Sequence, residues 1–417
     1  NLEYLQGVLA HEVFRTGQSF TRFLAGFEMP VRSVEVIKPG THSTVQEYPG
    51  RLGYWNVGVP PSGPMDSYAF RLANRIVGNR EWHAALELTS AGPTLRFGTD
   101  TWIALTGARM SASLDGEPVP YWQPVRVRAG SVLTMGGIQG PGQRTYLAVY
   151  GGFAVPAYLG SKATFTLGQF GGHVGRALRA GDVLHLSSPD AMSRLIQSDE
   201  APDARGSAPA DLIPSYGTEW VIAVTPGPHG APDFFTEDDM RAFYAAEWEV
   251  HYNSSRTGVR LIGPKPVWAR PDGGEAGLHP SNVHDNAYAI GAIDYTGDMP
   301  VILGPDGPSL GGFVCPAIVA HADLWKLGQL RPGDRIRFQL ISCEEAIRRR
   351  QLQDESIAGL QMRHDVAHGD AAFDDVEQDD TSALDHAIPQ SHGTAQPSGA
   401  APVRRHKQPE ANAQALA

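Results

Sequence analysis

The chain has 417 residues, enough for two domains with separate cores, and its 41% hydrophobic and 19% charged residues are an ordinary globular balance. With 45 acidic against 34 basic residues it carries a formal charge of −11, which argues against a nucleic-acid-binding surface. No apolar run approaches the roughly 20 residues that span a bilayer, and two cysteines, Cys315 and Cys343, supply neither a disulfide framework nor a zinc cluster and fit a reducing, cytoplasmic setting.

The chain begins at Asn1 with no basic-then-apolar leader and reads as a piece of something longer. Leu2, Leu5, Val8, Leu9, Phe14, Phe20, Phe23, Leu24 and Phe27 are spaced as helical segments over 1–30 that need a partner surface. The chain's 47 glycines and 32 prolines predict many turns and short strands, which begin at about Ser33, hence a mainly β fold with a few helices. Ser33-Val-Glu-Val-Ile, Tyr146-Leu-Ala-Val-Tyr150, Val221-Ile-Ala-Val-Thr225 and Val301-Ile-Leu-Gly304 are such strands. A helix is expected from about Ser67 to Val77, capped by Asp66 or Ser67, stopped at Gly78, with Ala69, Leu72, Ala73 and Ile76 on its apolar face. Another follows Thr236, where Glu237, Asp238 and Asp239 make an acidic first turn and Met240, Phe243, Tyr244 and Trp248 an apolar face.

Val127-Arg-Ala-Gly-Ser-Val-Leu133, Leu178-Arg-Ala-Gly-Asp-Val-Leu184 and Leu330-Arg-Pro-Gly-Asp-Arg-Ile336 each set a glycine turn directly before a strand. Their recurrence suggests two related β units, over 33–187 and 217–343. Residues 188–216, rich in Ser, Ala, Pro and Asp, read as a linker. Over 351–417 His, Asp, Gln, Ala and Pro dominate, and this tail is expected to be disordered because it buries too little apolar surface to offset its ordering entropy.

Three constellations carry polar chemistry. Gly58-Val-Pro-Pro-Ser-Gly-Pro-Met-Asp66 leads into a helix, where backbone N–H groups and the Ser62 hydroxyl can hold a carboxylate or an oxyanion; a rigid connection with no ligand is the plainer reading. Gly168-Gln-Phe-Gly-Gly-His-Val-Gly-Arg176 allows close backbone approach to a flat ligand or another subunit, or makes a glycine-rich hairpin. The stretch from His279 to Asp298 is the most informative, with two histidines, two asparagines, two tyrosines and three carboxylates among small residues. Such a density of polar groups suits a site that hydrogen-bonds a small molecule and moves a proton. Asp285 or His284 can accept a proton and Asn282 can donate and accept at once, whereas Asp294 and Asp298 read better as structural. Asp306-Gly-Pro and Ser309-Leu-Gly-Gly-Phe313 form a second polar turn that a short connection can bring alongside. There is no Gly-Lys dipeptide for a phosphate-binding loop, and no lysine lies between methionines as a biotin-bearing lysine does, so ATP chemistry and any tethered cofactor belong elsewhere.

Thr44-Val-Gln-Glu-Tyr-Pro-Gly-Arg-Leu-Gly-Tyr-Trp55, Gly58–Asp66, Arg71-Leu-Ala-Asn-Arg-Ile-Val-Gly-Asn79, Leu159-Gly-Ser-Lys-Ala-Thr-Phe-Thr-Leu-Gly168 and His251-Tyr-Asn-Ser-Ser-Arg-Thr-Gly-Val-Arg260 together resemble the first half of the biotin-dependent carboxyltransferases, also called allophanate hydrolase subunit 2. The resemblance covers about residues 33–341. Pro280-Ser-Asn-Val-His-Asp285 and Asp306–Phe313 look like the urea carboxylase branch, and residues 1–30 resemble the end of a biotin carboxylase domain. The resemblance implies two cyclophilin-like β-barrel subdomains and transfer of a carboxyl group from carboxybiotin to urea or guanidine. It also implies partners: a second carboxyltransferase half, a biotin carrier, and a biotin carboxylase that uses the ATP. On it, Asp285 orients the acceptor nitrogen with Asn282 and His284 assisting, Tyr288, Ser309 and Asp306 bind substrate, and Ser62, Gly63, Gly171, Gly172 and His173 face the biotin. The fragment alone is expected to be inactive without those partners. The alternatives are an oxoprolinase-type ATP-dependent hydrolase component and a non-catalytic partner of a related barrel.

Overall fold

Alternation in the first strands explains where the chain turns its apolar side. In β1 (Ser33–Lys38) Val34 and Val36 are fully buried while Glu35 between them pairs with Arg96 at the surface. The computed structural model describes residues 8, 12–18, 23, 32–187 and 207–365. After β1 come β2 (His42–Gln46), β3 (Ala85–Thr89), β4 (Thr94–Phe97), β5 (Thr101–Gly107), β6 (Met110–Leu114), β7 (Glu117–Pro118), β8 (Val125–Val127), β9 (Val132–Ile138), β10 (Arg144–Val149) and β11 (Val183–His185). They form a six-stranded sheet in the order β11-β1-β4-β9-β6-β7 and a five-stranded sheet in the order β2-β3-β10-β5-β8. Both sheets contribute to one hydrophobic cluster, so this unit encloses its core by packing two sheets rather than by a closed ladder.

Helix α1 (Ser67–Ile76) begins where the Asp66 carboxylate accepts the Ala69 N–H at 2.8 Å. The sequence predicts one apolar face, but Arg71, Asn74 and Arg75 are buried along with Phe70, Leu72 and Ile76. The second face is covered by α3 (Cys343–Asp365), whose Asp354 pairs with Arg71 at 2.7 Å and whose Ile357 and Leu360 join the first core. That burial corrects the expected start of the tail: the chain is helical to Asp365, because apolar contact with the first unit offsets the cost of ordering it. The rest of the expected tail lies outside the described residues, as do most of 1–30, where a single helical turn spans Glu12–Arg15. Of the linker, 188–206 lies outside the described residues, while Ala208 is buried in the first core and the Tyr68 hydroxyl donates to the Leu212 carbonyl at 2.9 Å.

The second unit contains β12 (Glu219–Pro226), β13 (Trp248–Val250), β14 (Gly258–Ile262), β15 (Asn282–Ala287), β16 (Ala292–Thr296), β17 (Met299–Leu303), β18 (Leu310–Phe313), β19 (Ala317–Val319) and β20 (Arg335–Leu340). Seven of them close a barrel in the order β12-β19-β16-β17-β14-β13-β20, sealed where β12 and β20 pair in parallel from Glu219 opposite Arg335 to Val224 opposite Leu340. Helix α2 (Glu237–Ala245) carries the capping box expected after Thr236 and stacks Phe243 on Phe338 at 4.9 Å. The three recurrent glycine turns are present: Gly130, Gly181 and Gly333 adopt φ of 89°, 87° and 87° ahead of β9, β11 and β20. β15 and β18 stand apart as a two-stranded flap. Among the described residues no helix is long and apolar enough to cross a membrane.

Candidate functional site

In the barrel wall, Ile293 and Tyr295 of β16, Ile302 of β17, and Val259 and Leu261 of β14 point into the core. The two-residue period therefore turns Asp294, Thr296, Val301, Leu303, Gly258 and Arg260 outward. The flap lies over this outer wall, with Asn282 opposite Phe313, Asn286 opposite Gly311 and Ala287 opposite Leu310. Wall and flap border a cavity of about 380 Å³, in the size range of small-molecule sites, lined by Arg260, Asp294, Thr257, Leu303, Tyr288 and Phe313 among others.

Tyr288 pins the flap. Its hydroxyl accepts the Phe313 N–H at 2.8 Å, and its ring occupies the space that any side chain at Gly311 would need. Below it, Asp294 is 2% exposed and its Oδ1 has no hydrogen-bond partner. Burial pushes this carboxyl up to about 8, and hydrogen bonds from Cys315 and Tyr288 offset the effect only in part. Burial first, and Asp294 second, raise the Cys315 thiol to about 12. The cavity wall thus contains a carboxyl whose Oδ1 is buried and has no partner within the fold, a group whose charge nothing nearby matches.

The residues expected at the site separate into three groups. Tyr288 lines the cavity, and the Ser309 carbonyl accepts the Tyr288 N–H at 2.9 Å at the cavity's edge. Gly307-Pro308-Ser309-Leu310-Gly311 has the Gly-x-Ser-x-Gly spacing of a nucleophile elbow, but it enters a strand rather than a helix, so that reading does not apply. Asp285 and His284 sit exposed on β15 outside the cavity lining, and Asn282 is half-buried, its carbonyl accepting from Arg270 at 2.7 Å.

Asp306 is not free to hold substrate. It is buried and accepts two hydrogen bonds from Arg256, at 2.7 and 3.1 Å. The glycine loops are likewise closed. Ser62 is 2% exposed at φ 57° and donates its N–H to the Pro305 carbonyl at 2.9 Å, while Gly63 turns its carbonyl to Arg256 at 2.8 Å. Cβ atoms at Gly171 and Gly172 would overlap the Ala163 carbonyl and the Thr164 hydroxyl, so close approach of the chain to itself explains these glycines. His173 faces Asp182 at 3.5 Å, in a turn where Arg176 grips the same carboxylate at 2.7 and 2.8 Å. Hydrogen bonding from Arg176 holds Asp182 down at about 2. The backbone of these loops is used within the fold, whereas the Ser62 hydroxyl is buried with no hydrogen-bond partner.

Asp294, which reads as structural in the sequence, lies in the cavity wall with Arg260 and Thr257, and Arg256 lies between two lining residues. The signal was present as alternation: in Ala292-Ile-Asp-Tyr-Thr296 the residues between the core positions share one face. Asp298, read as structural, receives the Trp268 indole N–H at 3.2 Å and lies 3.3 Å from His279.

The sequence model of the carboxyltransferase domain, subdomain A and B, matches residues 57–340. A urea amidolyase of Lachancea kluyveri is 51% identical over 364 residues, covering 87% of this chain and 20% of that protein. A 5-oxoprolinase subunit of Escherichia coli is 32% identical over 338 residues, covering 79% of this chain and 98% of that protein. A crystal structure of the Kluyveromyces lactis urea carboxylase superposes with a TM-score of 0.78 at 48% identity, over 86% of this chain and 32% of that one. The chain thus spans about a fifth of the length of the urea amidolyases it matches.

Proposed function

We propose that this chain, which belongs to the carboxyltransferase subdomain A and B family, is the acceptor-binding part of a biotin-dependent carboxyltransferase. In this reading it works with a second carboxyltransferase half, a biotin carrier and an ATP-using biotin carboxylase to carboxylate a small planar nitrogen compound, urea or guanidine. Bound to its carrier, carboxybiotin supplies the carboxyl group; the products are allophanate from urea and a carboxyguanidine from guanidine. The observation that carries the reading is the buried, partnerless Oδ1 of Asp294 in the wall of the flap-covered cavity.

The two acceptors use Asp294 differently. A guanidinium brings the positive charge that the buried carboxyl lacks, so Asp294 ionises and accepts two N–H bonds. Neutral urea leaves Asp294 protonated, donating to the urea oxygen and accepting one N–H. Tyr288 fixes the flap above the acceptor, and Leu303 and Phe313 keep water from the reacting nitrogen. Asp285 and His284 are exposed on β15 and do not line the cavity, so the acceptor is assigned to Asp294 instead.

Acceptor-dependent ATP turnover of the complete enzyme, measured with urea and with guanidine over pH 6 to 9, tests this. The KM for guanidine should fall as pH rises toward 8, and the KM for urea should rise over the same span. KM values for both acceptors that ignore pH and survive Asp294→Asn would remove Asp294 from the site. The 98% coverage of the 5-oxoprolinase protein favours a hydrolase-component reading. The higher identity to the urea enzymes outweighs it, and ATP-dependent 5-oxoproline opening with oxoprolinase partners would reverse that choice.

A further inference from the structure

The cavity belongs to the second unit, yet two of its bordering segments are held by a residue of the first. Arg256 lies between cavity-lining Ser255 and Thr257, and Asp306 lies two residues before cavity-lining Pro308. Arg256 grips Asp306 through two hydrogen bonds, and the Asp306 N–H donates to the Arg256 carbonyl at 3.2 Å. The Gly304 N–H reaches the Thr257 carbonyl at 2.9 Å, so the two segments are laced together. The remaining guanidinium N–H groups leave the unit: one reaches Glu87 Oε1 of β3 at 2.7 Å, another the Gly63 carbonyl at 2.8 Å.

Glu87 is itself fixed. It is fully buried, and its Oε2 accepts from the Met65 N–H and the Tyr146 hydroxyl, both at 2.8 Å. Burial alone would raise its carboxyl; Arg256, Arg144 and those hydrogen bonds hold it below the ordinary range instead. An ionised carboxylate at a fixed point thus aims one arginine, and that arginine sets both bordering segments.

We propose that Glu87 is a positioning residue for the acceptor cavity, acting across the junction of the two units through Arg256. The claim that it changes acceptor kinetics rests on the proposed carboxyl transfer; the claim that it orders the cavity border does not. Glu87→Gln keeps the length of the side chain and removes its charge, leaving Asp306 as the one carboxylate on Arg256. Gln329 supplies the control. It crosses the same junction away from the cavity, donating to Asp66 at 2.7 Å and accepting the Gln143 and Arg144 N–H groups at 3.0 and 3.1 Å.

In this chain, amide exchange over 253–258 and 304–308 should quicken in Glu87→Gln and stay at wild-type rates in Gln329→Met, although both variants lose stability. In the complete enzyme Glu87→Gln should raise the acceptor KM about tenfold or more, since small misplacements are costly, while Gln329→Met leaves it unchanged. Equal effects of the two variants on exchange, or no effect of Glu87→Gln at the cavity border, would reduce Glu87 to a stability element. Altered exchange with unaltered KM would keep the ordering role and refute the acceptor site instead.

Discussion

Gly311 and Gly312 in the flap, and Gly171 and Gly172 beside Arg51, make the same backbone allowance with different consequences. At Gly311 the space is taken by the Tyr288 ring, which roofs a cavity with a half-satisfied carboxyl in the wall below it. At Gly171 and Gly172 it is taken by Ala163, Thr164 and the Arg51 guanidinium, which donates to the Tyr158 and Ala163 carbonyls at 3.0 and 2.9 Å. Gly311 lets a side chain arch over the cavity, while Gly312 brings β18 against the Val283 carbonyl of its partner strand; Gly171 and Gly172 let two loops touch. What faces the missing Cβ decides whether a glycine-rich segment is a site or a seam.

The largest expected effect that separates the two regions is loss of Asp294. In the complete enzyme Asp294→Ala should lower acceptor-dependent turnover by roughly 10²- to 10⁴-fold, the usual weight of a positioned acid or base, while ATP cleavage driven by bicarbonate and free biotin persists. Asp294 should also be visible in stability. Its carboxyl is raised to about 8 in the folded chain, so the folded state holds a proton that the unfolded state has already released above pH 4. Stability is then complete at low pH and falls as pH rises to about 8, with a slope of at most ~1.4 kcal/mol per unit for one proton. Asp294→Asn should flatten that slope in denaturation series run from pH 4 to 8; an unchanged slope would assign it to other groups.

The seam should answer in the opposite way. Gly172→Ala places a Cβ against the Thr164 hydroxyl at a left-handed φ of 52°, and should cost about 1–3 kcal/mol in urea or guanidinium unfolding while the surviving folded fraction keeps its acceptor KM. A changed KM with normal stability would make that loop part of the site. Tyr288→Phe is milder, removing a hydroxyl that caps Phe313, with a loss of about 1 kcal/mol and a higher acceptor KM. Least is expected of Asp285→Ala: an exposed site should move stability by no more than about 0.5 kcal/mol, with a smaller loss of turnover than Asp294→Ala. A larger loss would return the centre of the site to β15.

Local rules made much of this legible. The Thr236 capping box, the Asp66 cap and the glycines at 130, 181 and 333 are decided within a few residues, and the chain obeys them. Asp294 was harder, because alternation in β16 gives two faces without saying what covers the outer one. Here the cover is a flap whose strands come from either side of the barrel's own β16 and β17. Asp306 misled for a related reason. Its partner Arg256 is 50 residues away and Glu87 a further 169 from that arginine, so nothing nearby showed that its charge was already matched. The reach of α3 to Asp365 was hidden too, since Ile357 and Leu360 find their partners on the first unit rather than along the helix.

The central claim can be read directly from one carboxyl group. With the aspartates of this chain labelled with carbon-13, the Asp294 carboxyl should titrate near pH 8 alone and move well below that when millimolar guanidinium is added, with Asp294→Asn identifying the resonance. A titration unmoved by guanidinium and by urea alike would contradict the account, leaving Asp294 a buried acid with no acceptor to meet.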